Sequence, residues 1–258
     1  MSVKIKVCTF NLRTPVEKDG VNYFPNRKGR ILDVIRRENP DLIGFQEVAD
    51  STRKWLREAL DGYVVVGCGR KKDLSGEAML VAYKRDTFDM VSMDTFWLST
   101  APSVAGSCYG VDQSNCPRCT TAVVLKHDGA QQPFLFLNTH LDHKGATARL
   151  LGAVQILQYI SEKGLPFVLT GDMNARPDSP EMQAIVGCKS HMVVDITAGI
   201  AGTFHGFGKY AVSEMPKIDY IFTDMESDPA ESYAVEDIPE NGVYISDHNP
   251  VIGFVTVE

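Results

Sequence analysis

The chain has 258 residues, 44% of them hydrophobic and 23% charged, with a formal net charge of −7. These proportions fit a globular protein and exclude disorder and collagen-like repeats, and no apolar run approaches the roughly 18 residues that a membrane helix needs. The acidic balance argues against tight, extended, non-specific binding of duplex nucleic acid, which takes a basic face, although a bound divalent cation offsets carboxylates locally.

The N-terminal residues Met1 to Val7 alternate polar and apolar side chains. A secretory signal has a basic stretch followed by a continuous apolar block, so the chain reads as cytoplasmic. The six cysteines, Cys8, Cys68, Cys108, Cys116, Cys119 and Cys188, are too sparse for a disulfide-stapled fold. Cys116 and Cys119 form a lone CxxC near Cys108, with no fourth zinc ligand at a recognisable spacing, and are read as structural. No linker, low-complexity segment or long charge run divides the chain, so residues 1–258 are expected to form one domain.

In chain order, Val3, Ile5 and Val7 predict a strand ending near Asn11. Ile31, Val34 and Ile35 predict a helix over Arg27 to Asn39, stopped by Pro40. Leu42 to Phe45 reads as a buried strand with Glu47 just beyond it. Strands follow at Tyr63–Val66, Ala78–Tyr83 and Phe88–Leu98. Ala101 to Arg118, rich in Ser, Gly, Pro and Cys, reads as a long surface loop, and Thr120–Lys126 as a strand. Pro133 to Thr139 predicts a strand ending at His140. Ala146 to Lys163 predicts a helix with Leu150, Val154, Leu157 and Ile160 on one side, and Pro166 to Thr170 another buried strand before Gly171-Asp172. Strands at Ile218–Thr223 and Val251–Val257 complete the set.

Strand–helix–strand thus occurs twice. Each copy brings a polar residue to the end of its first strand (Asn11, His140) and an acid to the end of its second (Glu47, Asp172). A core does not need this arrangement, whereas a site built at strand ends does. The whole pattern predicts an α/β sandwich of two sheets with helices outside.

Three further pieces carry chemistry. Asp172-Met173-Asn174 follows a strand directly, and Asp can orient or deprotonate water while Asn stays neutral as donor and acceptor. Taken alone, this is also a common turn. Lys217 to Phe222 puts Asp219 in an apolar strand. If it faces inward it needs a partner, which a cationic histidine such as His248 supplies; if it faces water, it needs none. Ser246-Asp247-His248-Asn249-Pro250 precedes the last strand, where it reads as a site segment or a capped turn. Glu47 is a hard oxygen donor suited to Mg²⁺ or Mn²⁺. There is no nucleophile elbow, GxGxxG or P-loop, which leaves water as the attacking group.

Six segments in order, Thr9-Phe10-Asn11-Leu12, Gly44-Phe45-Gln46-Glu47, Asn138-Thr139-His140-Leu141, Thr170-Gly171-Asp172-Met173-Asn174, Ile218-Asp219-Tyr220 and Ser246-Asp247-His248-Asn249-Pro250, span essentially the whole chain. In these the sequence resembles the endonuclease/exonuclease/phosphatase superfamily. The resemblance implies a deoxyribonuclease I-like four-layer α/β sandwich, with two packed, mainly antiparallel or mixed β-sheets flanked by helices. It also implies metal-dependent phosphoester hydrolysis. Asn11, Glu47 and Asp247 would hold the Mg²⁺ or Mn²⁺ region. Asp172 would orient or activate water, Asn174 would position phosphate or water, Asp219 would support His248, and His140 and His248 would contact the scissile phosphate. His140 stands where the family's apurinic-site endonucleases have tyrosine, and Arg13 where they have an acid. Gly67 to Arg70, Gly76-Glu77, Thr95 to Ser99, Thr139 to His143 with Ala148-Arg149, and Gly202 to His205 resemble a group of small bacterial members. From them Arg70, Arg118, Arg149 and His205 are drawn as candidate phosphate or leaving-group contacts.

The expected activity is a metal-dependent phosphodiesterase or phosphatase acting on a small phosphorylated molecule, with no membrane span and no obligate protein partner. One alternative is an exonuclease or endonuclease on RNA or single-stranded DNA, with Tyr109, Phe204 and Phe207 as candidate stacking residues. A second is an inactive binding module on the same fold, which the presence of Glu47, Asp172, Asp247 and His248 disfavours.

Overall fold

A computed structural model describes residues 2–258. The alternating and apolar runs form β-strands and the periodic stretches form α-helices, in the order β1 (Val3–Asn11), α1 (Phe24–Glu38), β2 (Leu42–Val48), α2 (Asp50–Ala59), β3 (Tyr63–Val66), β4 (Ala78–Lys84), β5 (Phe88–Trp97), β6 (Cys119–His127), β7 (Phe134–His140), α3 (Ala146–Lys163), β8 (Phe167–Asp172), α4 (Pro180–Val186), β9 (Val194–Asp195), β10 (Asp219–Thr223), β11 (Tyr233–Ala234) and β12 (Val251–Val257). One sheet runs β11-β12-β1-β2-β4-β3 and the other β5-β6-β7-β8-β10-β9. Each holds one parallel pair, β1 with β2 and β7 with β8, because a helix carries the chain back to the starting end between the two strands. Each parallel pair is flanked by antiparallel partners, β12 and β4 in one sheet, β6 and β10 in the other.

Apolar side chains fill three interfaces. One cluster packs α1 and α2 on the first sheet (Ile31, Ile35 and Leu56 against Phe10 and Phe45). A second packs α3 and α4 on the other (Ile156, Ile160 and Ile185 against Leu137 and Leu169). The third joins the sheets face to face through Val7, Val81, Val123, Phe136 and Ile221. The expected four-layer, deoxyribonuclease I-like sandwich is therefore what forms.

Several local expectations change. The buried side of α3 is Ala148, Gly152, Ala153, Ile156, Leu157 and Ile160; Val154 is exposed and Leu150 half-buried. Small residues face the sheet because Leu98 and Leu141 approach Gly152 closely. Helices α2 and α4 and the two-residue strands β9 and β11 carried too few apolar positions to be read from pattern. The Ala101–Arg118 segment is irregular, as expected.

Where the inter-sheet layer nears the strand ends it turns polar. Gln46 Nε2 donates to Thr9 Oγ1 at 3.0 Å and to Asn138 Oδ1 at 2.6 Å. Asn138 Nδ2 donates to the carbonyls of Phe45 and Leu80, both at 2.8 Å. These buried amide bonds cross from one sheet to the other and fix the two together, with Gln46 Oε1 left buried and without a partner. Gly44 is required there, since a Cβ at that position would collide with Thr170 Oγ1 and Asn138 Oδ1.

Candidate active site

Strand register assembles the centre. In the second sheet Asp172, the last residue of β8, lies opposite His140 of parallel β7 and opposite Asp219 of antiparallel β10. Neighbouring strands are about 4.8 Å apart, so three polar side chains meet at one sheet edge. In the first sheet Asn11 ends β1 opposite Gln46. The register then slips between Phe45 and Val48, and Glu47 takes a left-handed φ of 58°. This bulge leaves Gln46 in the inter-sheet layer and turns Glu47 into the cleft. Glu47 thus lies within β2, not beyond it as expected, and Asp219 opens β10 instead of sitting inside it.

Asn11 joins the halves, its Nδ2 donating to Asp172 Oδ2 at 2.9 Å and to Glu47 Oε1 at 3.2 Å. The Thr14 amide donates to Glu47 Oε2 at 2.9 Å. His248 Nδ1 meets Asp219 Oδ2 at 2.8 Å, while its Nε2 lies 3.7 Å from Asp172 Oδ2 and 3.9 Å from Asp247 Oδ1. The Asn174 amide donates to Asp172 Oδ1 at 2.9 Å, and Asn174 Nδ2 lies 2.9 Å from His140 Nε2. The Phe204 ring packs 4.8 Å from the His248 ring, centroid to centroid. Arg13 and Asn174 share the left-handed backbone of Glu47, at φ 52° and 49°, so three non-glycine residues around the cleft occupy a sparsely populated conformation of the kind that collects at functional sites.

Burial and charge set the protonation states. Burial opposes a charge on His248, but the hydrogen-bonded Asp219 carboxylate, with Asp172 and Asp247, raises its pKa to about 10. Burial, helped by Asp219 and opposed by His248, pushes Asp172 up to about 7. Burial also raises Asp247, against the opposing charge of His248. His140 is driven well below its usual value by burial and then by Arg118 and Arg70, and so is neutral.

These residues line a cleft of about 370 Å³. It includes Glu47, His140, Asp172, Asn174, Asp247 and His248, with Asp219 just behind. Donor atoms of Asp172, Asp219 and His248 all lie within 4.8 Å of one another. His248, cationic and engaged by Asp219, is a poor ligand in that state, so this trio is foremost an ion-pair network. Glu47, Asp247 and Asp172 line the same cleft as hard oxygen donors, the chemistry that Mg²⁺ or Mn²⁺ prefers, and burial opposes the charge on Asp172 and Asp247, which a bound cation would offset.

Of the four candidate substrate contacts, Arg70 and Arg118 line the cleft and the other two do not. Arg149 is paired with buried Glu181 of α4 and donates to the Asp142 carbonyl at 3.1 Å. Its position on α3 turns it toward α4. His205 is buried beside the Tyr244 ring and lines a separate cavity of about 640 Å³, because its backbone amide is tied to the Asp247 carbonyl at 3.0 Å. Arg149→Gln should therefore change kcat/KM by less than about threefold, yet lower the melting temperature by several degrees through loss of a buried partner. Steady-state kinetics and thermal melts separate the two effects. Arg13, Thr14, Glu77, Cys116, His143 and Phe204 also line the cleft and had not been singled out as core site residues. Glu77 and His143 lay inside motifs already noted, whereas Arg13 and Thr14 enter through the left-handed turn after β1, which no local pattern announces.

Two mixed sheets flanked by helices, with the site at the strand ends, define a deoxyribonuclease I-like fold. The chain belongs to the Endonuclease/Exonuclease/phosphatase family, whose profile matches residues 8–248. An endonuclease/exonuclease/phosphatase from Bacteroides vulgatus is similar at 29% identity and a TM-score of 0.92, over 99% of this chain and 100% of that one. The mannosyl-6-phosphatase of Bacteroides thetaiotaomicron VPI-5482 is similar at 27% identity and a TM-score of 0.83, over 98% and 100%. The human Nocturnin catalytic domain with bound sulfate shares the fold at 17% identity and a TM-score of 0.69, over 100% and 97%. No curated protein matches the chain. Among the described residues no helix is long and apolar enough to cross a membrane.

Proposed function

We propose that the protein is a divalent-metal-dependent phosphoester hydrolase that uses water as its nucleophile. The observation that carries this reading is the register of Asp172 between neutral His140 and Asp219-paired His248, beside the Glu47 and Asp247 carboxylates. Asp172 holds the attacking water and takes its proton. Cationic His248 and neutral His140, whose ring Asn174 Nδ2 holds through Nε2, face the negative charge that grows on phosphate. Glu47 and Asp247, with Asn11, would hold Mg²⁺ or Mn²⁺, which when bound would supply positive charge to offset the negative charge on the phosphate and leaving group. Attack is in line, with no covalent enzyme intermediate.

A small phosphorylated substrate is favoured over a nucleic-acid end. Of the three aromatics suited to stacking on bases, only Phe204 lines the cleft. Tyr109 is bonded to Gln155 of α3, and Phe207 packs by Tyr244. The name of the mannosyl-6-phosphatase, similar over nearly the whole chain, supports the same reading.

The test is hydrolysis of p-nitrophenyl phosphate and bis-p-nitrophenyl phosphate with Mg²⁺, with Mn²⁺ and with EDTA. Turnover of at least one ester that EDTA abolishes and metal restores is expected. Turnover that survives EDTA, or none on any phosphoester with metal bound, overturns the proposal.

A further inference from the structure

The wall of the cleft beside His140 carries more hydrogen-bond donors than the protein satisfies. Arg118 is 4% exposed; its Nη2 meets His143 Nδ1 at 2.9 Å and its Nε lies 3.4 Å from Asp142 Oδ2, but its Nη1 is buried with no partner. Arg70 pairs through Nη2 with Glu77 at 2.8 Å, and its Nη1 is likewise buried and unpartnered. With Asn174 Nδ2 donating to His140 Nε2, the His140 proton sits on Nδ1, a third buried donor with no partner. Native proteins rarely leave such groups orphaned, and when they do an unseen ligand or a functional role is the usual explanation. Both guanidinium groups also act on His140 to keep it neutral, so their charges converge on the same region.

The two sides of the cleft therefore differ. Glu47 and Asp247 lie on one, with the Arg13 Nε 3.7 Å from Asp247 Oδ2; Arg70, Arg118 and His140 make the other, where Glu77 engages Arg70 through Nη2 alone and unpartnered donors remain. A phosphate diester carries one negative charge on two terminal oxygens, and its second ester carbon offers no acceptor charge to a guanidinium. A phosphate monoester near neutral pH carries almost two charges on three terminal oxygens. Surplus, charged donors match the additional anionic oxygen of the monoester, and guanidinium is the side chain best shaped to bind it.

We propose that Arg70 and Arg118, beside His140, form an oxyanion cradle that selects phosphate monoesters over diesters. His143 and Asp142 are positioning residues that hold the Arg118 fork. The inference rests on the cleft being the phosphoester site proposed above.

Two measurements test it. In the first, kcat/KM is compared for p-nitrophenyl phosphate and bis-p-nitrophenyl phosphate. The unaltered protein is expected to prefer the monoester, and Arg118→Gln to lower the monoester-to-diester ratio by about tenfold or more. In the second, inorganic phosphate and dimethyl phosphate are titrated calorimetrically. Arg118→Gln is expected to weaken phosphate binding by about tenfold or more, with a smaller effect on dimethyl phosphate. Because Arg118 also holds Asp142, Arg70→Gln is the second variant, checked by thermal melting, and is expected to act in the same direction. Diester preference in the unaltered protein, or equal losses for both esters in both variants, overturns the cradle. If neither ester is hydrolysed, the proposed function fails while the phosphate titration still decides whether the cradle exists.

Discussion

Asp172→Asn is expected to lower turnover by about 10²- to 10⁴-fold, the range over which a positioned general base and charge stabiliser act. The substitution keeps the shape of the side chain and removes its charge. Each carboxylate oxygen has a fixed donor: Oδ1 accepts from the Asn174 amide and Oδ2 from Asn11 Nδ2. An amide in either orientation sets its own NH₂ against one of these donors, so the site loses its alignment as well as its base. The stability change is small, because neutralising a carboxylate whose pKa burial has already raised to about 7 offsets the lost hydrogen bond. Single-turnover rates on the ester found to be a substrate, at saturating Mn²⁺, read the chemical step. A rate within tenfold of the unaltered protein would remove Asp172 from the role of handling water.

The sequence already contained most of this candidate centre because polar residues at the ends of apolar strands contradict what a core requires. Asn11, His140 and Asp172 fall where hydrophobic runs stop, and that contrast survives without coordinates. Register then does the rest: once β8 lies between β7 and β10, His140, Asp172 and Asp219 are neighbours by necessity. What could not be read was geometry produced by the backbone leaving its regular course. The Glu47 bulge decides whether Gln46 or Glu47 enters the cleft, and only the paired strand shows the slip. Arg149, on the helix after His140, looked the best of the four candidate phosphate contacts, ahead of Arg118, yet the partner of each depends on an element far along the chain. Glu181 of α4 takes Arg149, and no carboxylate claims Arg118 Nη1. Chemistry was legible from residue type, and accessibility was not.

Arg27 shows the same limit in a residue with no place in the reaction, and its replacement is expected to cost the most stability. It was read as the start of a helix, but its side chain is fully buried without a salt-bridged carboxylate among the described residues. Burial lowers its pKa to about 10, a sign of what sequestering the charge costs. Four carbonyls compensate: Asn22 at 2.7 Å, Leu12 at 2.8 Å, Ile245 at 2.7 Å and Arg13 at 2.9 Å. Two of them belong to the turn that leaves β1 just after Asn11. Ile245 directly precedes Ser246-Asp247-His248, so one guanidinium ties together the two segments that bring Asn11 and Asp247 to the cleft. Arg27→Met fills similar space but leaves those carbonyls without their shared donor. It is expected to destabilise the protein by on the order of 4 kcal/mol, or roughly 10 °C in melting temperature for a chain of this size, with weaker Mn²⁺ binding in the folded protein. Arg27→Lys, with one compact ammonium, cannot reach all four acceptors and should fall between. Thermal melts and Mn²⁺ titration check both variants. A melting temperature unchanged to within about 2 °C for Arg27→Met would mean that water or neighbouring amides satisfy the carbonyls equally well, and that the alignment of Asn11 with Asp247 is held by Ser246 Oγ donating to the Asn11 carbonyl at 2.6 Å.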